Sequence, residues 1–270
     1  MAAIGALMTR SVAVAAQACP PTINSCGCAI LAPGTYKLGL AIDASQGLTP
    51  SGACIDIASS FVTLDVAKKS ITGPGGSSPT GIGILVRHGI STMLVEGRGA
   101  TVTGWDVGLL IQSANSTIDN FAAIANGSAG VELNKAQRVL LSNVTATDNQ
   151  NYGVWLRQSN FNLISNLKTQ TNGNIGLYAG CGDIGPINST CLGVGVSSGN
   201  QIFSGNVASN TNYGIALDTG TKTSLVTNNS LKGGVPNGKF DFFDANSNCG
   251  TDKWFGNDST ATTSPSTCIK

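Results

Sequence analysis

Six glycine-led segments recur through the middle of the chain, and their spacing restricts the fold more than any other feature. They are Gly83-Ile-Leu-Val-Arg, Gly108-Leu-Leu-Ile-Gln, Gly130-Val-Glu-Leu-Asn, Gly153-Val-Trp-Leu-Arg, Gly176-Leu-Tyr-Ala-Gly and Gly214-Ile-Ala-Leu-Asp, with starts 25, 22, 23, 23 and 38 residues apart. The first and third residues after each glycine are apolar, from Ile84 and Val86 through Val154 and Leu156 to Ile215 and Leu217. Alternation with a period of two predicts a strand with one buried face. A fixed longer period makes each segment one level of a stack, whose core is continuous only when neighbours are present. The last interval holds one period plus an insertion, residues 180–196, that carries Cys181 and Cys191.

Asparagines keep the same period. Asn126, Asn149, Asn172 and Asn210 stand four residues before a segment glycine, and Asn151, Asn174 and Asn212 stand two before. Asn120, Asn143 and Asn166 stand ten before, with Asn206 and Asn229 as later counterparts. When coils stack at about 4.8 Å, an amide at one place in each coil can donate to the amide carbonyl of its neighbour. Asparagine also tolerates the left-handed backbone of a sharp corner.

The stretches between segments are rich in Asn, Thr and Ser, as in Asn143-Val-Thr-Ala-Thr-Asp-Asn-Gln-Asn, with short apolar runs such as Leu163-Ile164. A leucine-rich repeat has a similar period but needs a Leu-x-x-Leu-x-Leu frame, and many have a helical return. Only 11% of residues are charged, against roughly 25% in a usual soluble domain, which leaves little for the exposed faces of helices. The sequence therefore predicts an all-β, single-stranded parallel β-helix over residues 55–239, with about seven to eight coils of 22–25 residues and three short strands per coil. Residues 19–54 and 240–270 are expected to cap the open ends, the latter with Phe240, Phe242, Phe243, Trp254 and Phe255. A formal net charge of +1 supplies no dense basic face for nucleic acid or an anionic membrane. No apolar run reaches the roughly 18 residues of a membrane span, and a monomer is expected.

Eight cysteines group as Cys19, Cys26, Cys28 and Cys54, then Cys181 and Cys191, then Cys249 and Cys268. An even count at the ends and in one loop points to disulfides in an oxidising compartment. With His88 as the single histidine, the usual zinc set of two cysteines and two histidines cannot form, although a four-cysteine site in the first group stays open. Local pairing predicts Cys19–Cys26, Cys28–Cys54, Cys181–Cys191 and Cys249–Cys268. Ala16-Gln17-Ala18 before Cys19 has the form of a signal cleavage site, so residues 1–18 read as the tail of a secretion signal. A secreted or periplasmic location follows as an expectation.

From about Cys54 to Phe243 the chain resembles secreted bacterial right-handed parallel β-helix repeat proteins of the pectate-lyase-like superfamily. The entry segment Cys28-Ala-Ile-Leu-Ala-Pro-Gly-Thr-Tyr, Cys54-Ile-Asp-Ile, and Ile71-Thr-Gly-Pro-Gly carry the likeness too. The resemblance implies a right-handed coil. It carries over no catalytic residue: the chain has no Asp-Asp pair and no Asp-Pro-His, and Arg87-His88-Gly89 only partly echoes a Gly-His-Gly.

In a strictly alternating strand, the second and fourth residues after each glycine face outward and stack from coil to coil. Candidate ligand-binding residues on that strip are Arg87, Gln112, Glu132, Asn134, Trp155, Arg157, Tyr178 and Asp218. Aromatic platforms beside amides and charges suit a chain of sugar rings, and arginine suits an acidic sugar. The expected function is binding or cleavage of a polysaccharide, a uronate polymer foremost, with a non-catalytic envelope or matrix protein as the alternative. If the chain is an enzyme, a lyase is favoured, with Arg157 or Lys135 as base and Glu132 as a further candidate. A hydrolase needs two carboxylates about 5–10 Å apart, whereas Glu132 and Asp218 are expected three coils, about 14 Å, apart. His88 reads as a turn residue. No cofactor or metal set is predicted, although isolated Asp106, Asp119 and Asp148 leave room for calcium.

Overall fold

The computed structural model describes residues 16–180, 197–231, 234–259 and 268–269. Among them, ten strands form the first face of a parallel β-helix: Gln17–Ala18, Cys28–Ile30, Ala53–Ile57, Ile82–Val86, Val107–Ile111, Ala129–Asn134, Tyr152–Arg157, Ile175–Gly180, Tyr213–Leu217 and Phe240–Asp244. Every neighbouring pair is parallel and separated by one circuit of the chain. The ladder thus runs beyond residues 55–239 at both ends, and the segments expected as caps contribute coils of their own.

A second face runs from Thr22–Ile23 to Lys253–Phe255, and a third includes Ser70–Thr72, Thr145–Thr147 and Lys168–Gln170. The strand Leu94–Thr103 belongs to both. It pairs with Val62–Asp65 through Leu94 to Glu96 and with Ser70–Thr72 through Thr101 to Thr103, bending between Glu96 and Ala100. Two short 3-10 turns, Ala44–Gln46 and Ser247–Cys249, are the helical elements among the described residues.

The core is a set of columns. Ile84, Leu109, Val131, Val154, Leu177 and Ile215 stack in register along the first face, each buried. Beside them Asn126 Nδ2 donates to Asn149 Oδ1 at 3.1 Å, Asn149 to Asn172 at 2.9 Å, Asn172 to Asn210 at 2.9 Å and Asn210 to Asn237 at 2.9 Å. Asn237 ends the series on Asp241 Oδ1 at 3.0 Å. Each carbonyl also accepts the backbone N–H of the preceding asparagine, as Asn172 Oδ1 does from Asn149 at 3.1 Å. Buried donors are expensive to leave unpaired, and this column pairs them coil after coil.

The recurrent glycine follows from that column. A Cβ on Gly153 would lie 2.5 Å from the carbonyl oxygen of Gly176 and 2.9 Å from Asn172 Nδ2; on Gly130 it would lie 2.8 Å from Asn149 Nδ2. Neither glycine has a positive φ, so the constraint is space. The glycine position and the residue after it both face inward, which breaks the strict alternation. The residue before glycine then turns outward with the residue two after it, and Tyr152 packs against Trp155 at a ring separation of 5.1 Å.

The corner asparagines do different work. Asn120, Asn143 and Asn166 are exposed, with φ of 57°, 52° and 50°. The later counterpart of Asn166 is Asn228, φ 55°, rather than Asn229, which is buried and donates to Asn257 Oδ1 at 2.9 Å. Asn206 bridges to Lys168, two residues beyond that corner.

The disulfides correct two expected pairs. Cys19 bonds Cys28 and Cys26 bonds Cys54, in place of Cys19–Cys26 and Cys28–Cys54; Cys249–Cys268 is as expected. Stacking decides the partners. The N–H of Cys19 donates to Ala29 O at 2.8 Å, holding Cys19 beside the Cys28 strand, while Gly27 N–H on Cys54 O at 2.8 Å brings Cys26 against Cys54. Both bridges tie neighbouring coils together. The expected Cys181–Cys191 pair and residues 1–15 of the expected signal lie outside the described residues.

Candidate functional site

The outward strip of the first face is largely a second core. Trp155 is 3% exposed and Tyr178 2%, and they pack with Tyr152, Ile175 and Ala216 in an apolar cluster separate from the interior. Tyr178 OH donates to Asp218 Oδ2 at 2.5 Å, and Asp218 is fully buried. A sugar platform needs an open aromatic face, so these rings and Asp218 are packing elements in this structure rather than the expected lining of a groove. The physical reason is the break at glycine, which adds Tyr152 and Ile175 to the outer side and gives Trp155 and Tyr178 apolar neighbours.

Two of the expected cations are matched by carboxylates. Arg87 donates through Nε and Nη2 to both oxygens of the buried Asp56, at 2.8 and 2.6 Å. That bidentate pairing holds the guanidinium above its already high ordinary value, first through the hydrogen bond and then through the charge of Asp56. Arg157 Nη1 lies 3.8 Å from Glu132 Oε1, and its guanidinium sits 5.1 Å over the Trp155 ring. Asn134 Nδ2 donates to the same oxygen of Glu132 at 2.9 Å. A guanidinium keeps its proton in proteins, so Arg157 is a poor base and a good anchor for an anion.

The open part of the site lies just past the strand ends. His88, Gln112, Asn134 and Lys135, from three successive coils, line a shallow depression of about 320 Å³. Gln112 and Asn134 are half-buried, whereas His88 and Lys135 are exposed. The same turns, residues 87–92, 112–116, 134–139 and 157–162, hold Arg87, His88, Lys135, Arg138 and Arg157 with no Asp or Glu. Lys135 and Arg138 enter none of the ion pairs among the described residues. With Arg87 on Asp56 and Arg157 near Glu132, the excess positive charge of this edge rests on Lys135 and Arg138.

Acidic groups gather elsewhere. Asp65, Glu96 and Asp119 stack in register on the second face, where Arg98 lies 3.6 Å from Asp65 and 3.1 Å from Glu96. Asp119 accepts from Ser142 Oγ at 2.5 Å and Asn143 Nδ2 at 2.7 Å; Asp148 accepts from Thr171 Oγ1 and Asp106 from Ser128 N–H. Among the described residues, no three His, Cys, Asp or Glu side chains are placed to hold a metal ion.

The structure therefore brings together Gln112, Asn134, Lys135 and, through Glu132, Arg157. It adds His88, which the sequence reading left as a turn residue, and leaves Arg138 exposed three residues beyond Lys135. Counting from each glycine could not reveal Arg138, because its corner falls nine, seven, eight and eight residues after Gly83, Gly108, Gly130 and Gly153. A fixed offset blurs such a column.

A family model described as a right handed beta helix region matches residues 82–252. No curated protein matches the sequence. Among solved structures, the A-module of the Azotobacter vinelandii mannuronan C-5 epimerase AlgE4 is 16% identical with a TM-score of 0.42, covering 82% of this chain and 67% of that one. DFA-IIIase from Arthrobacter chlorophenolicus A6 is 12% identical, TM-score 0.45, covering 90% and 77%. The Dettilon tailspike protein is 15% identical, TM-score 0.48, and this chain covers 53% of its length with 85% of its own.

Proposed function

The chain belongs to the right-handed β-helix family, and on that premise we propose that it binds an acidic polysaccharide, with a uronate polymer as the simplest ligand. The observation that carries this reading is the depression lined by His88, Gln112, Asn134 and Lys135, in turns whose Lys135 and Arg138 enter none of the ion pairs among the described residues. Amides suit sugar hydroxyls, and an ammonium or guanidinium suits a sugar carboxylate. The rigid stack behind them fixes their spacing, as a binding surface requires. The three disulfides among the described residues support an oxidising location, outside the cell or in the periplasm.

The test is affinity electrophoresis in gels containing alginate, polygalacturonate or a neutral glucan. Retention by an acidic polymer should weaken as salt is raised, and Lys135→Ala with Arg138→Ala should abolish it. Retention only by the neutral glucan, or an unchanged double variant, would overturn the reading. A second reading, eliminative cleavage of the same polymer, is favoured by the two proton carriers His88 and Lys135 sharing one pocket. It requires ultraviolet absorbance from an unsaturated product, lost in Lys135→Ala. A flat trace alongside retention leaves binding alone.

A further inference from the structure

The corner between the first and second faces has a left-handed residue on successive coils: Phe61, Thr92, Asn115, Arg138 and Phe161, with φ of 57°, 58°, 49°, 53° and 58°. Hydrogen bonds link them in sequence, Phe61 N–H to Ser91 O, Thr92 to Ala114, Asn115 to Gln137 and Arg138 to Asn160. The backbone geometry is an architectural requirement of the stack. The choice of residue is not. A bulky side chain in this region is sterically disfavoured, and asparagine or glycine would relieve it.

Two phenylalanines nevertheless occupy the corner, and the core does not account for them. Phe61 is 66% exposed and Phe161 58%. Phe161 packs over Gly199, where a Cβ would come within 2.6 Å of its ring, so the next coil accommodates the ring while most of it stays exposed. Left-handed, largely exposed aromatic residues outside the core offer open ring faces to a ligand. Between the two rings stand the exposed Asn115 and Arg138, in the same turns as the basic depression.

We propose that Phe61 and Phe161 are aromatic platforms at the two ends of a ridge that binds a polysaccharide strand parallel to the helix axis. This rests on the glycan-binding reading above and adds the strand's course and two contact residues. Four coil steps separate the rings, about 19 Å at a spacing of about 4.8 Å. Sugar rings at either end of a short stretch would lie on the phenylalanines while Arg138 and the amides between meet its carboxylates and hydroxyls.

The experiment compares wild type with Phe61→Asn/Phe161→Asn and with Phe161→Tyr, using alginate and polygalacturonate in affinity electrophoresis together with thermal unfolding. Asparagine fits the corner, so the double variant should unfold no lower than wild type while losing about tenfold in affinity, the equivalent of about 1.4 kcal/mol. Phe161→Tyr keeps the ring face and should keep the affinity. A double variant that binds as wild type does would overturn the ridge and leave the basic pocket standing. Wild type retained by neither polymer would overturn both proposals.

Discussion

Asn143 and Asn149 lie six residues apart in one coil, and Asn166 and Asn172 repeat the pair in the next. Asn149 is 1% exposed, accepts from the Asn126 backbone and amide at 3.0 and 3.1 Å, and donates to Asn172 and Ala123. Asn143 is exposed at φ 52°, with its amide on Asp119 and its carbonyl accepting from Asn166. One residue type recurs with one period for two reasons: inside to pair buried polar groups, and outside to relieve a left-handed backbone. The other corner sharpens the contrast. Phe61, Arg138 and Phe161 have the same φ as Asn143, yet asparagine appears there only at Asn115. Repetition marks what the stack needs, and departure from it, where the backbone is unchanged, marks what the surface does.

The comparison predicts unequal losses. Asn172→Ala deprives the Asn149 backbone N–H of its acceptor and Ala146 O and Asn210 Oδ1 of a donor. At about 1–3 kcal/mol for each buried group left unpaired, stability measured by urea unfolding should fall by about 3–5 kcal/mol. A loss below about 1 kcal/mol would mean that water replaces the amide and that the column is not a principal source of stability. Asn143→Ala leaves a left-handed alanine, a half-buried Asp119 that keeps its bond from Ser142, and an exposed Asn166 amide, and should lower stability by about 1 kcal/mol. An effect as large as that of Asn172→Ala would erase the distinction between the two columns.

The smallest effect concerns the last coil, where Asp252 stands one coil beyond Ser224. Asp252 is 7% exposed and accepts from Ser224 N–H at 2.7 Å and Thr221 Oγ1 at 3.0 Å. Burial outweighs these bonds and holds its carboxyl above the ordinary value of 3.8. The folded chain therefore keeps a proton that the unfolded chain has released. The stability this group contributes is present below its unfolded value and is lost as pH rises through the folded one. The thermal midpoint of wild type relative to Asp252→Asn should thus decline as pH rises above the ordinary value of 3.8. A difference that stays flat or rises would show that the hydrogen bonds dominate.

Strand periodicity, the inward pairs such as Val154 and Leu156, and the amide columns were legible because each obeys a rule of local geometry repeated in every coil. The outer aromatics were misread for an equally physical reason. Alternation is broken where Gly153 and its equivalents pass the buried amides, and no single strand reveals that. The exposed corner was hidden by turns of unequal length. The first disulfides were misassigned because Cys26 and Cys28 face different neighbouring coils across Gly27, at φ 91°.

By itself the sequence determined the stacked architecture, since a fixed period of apolar and amide residues has no other way to bury its polar groups. Only the tertiary structure decided which faces stay open. Exposure depends on what lies across from a residue, and in a β-helix that neighbour is a full coil away in the chain. Trp155 was thereby buried, and Lys135, Arg138 and Phe161 were left facing outward.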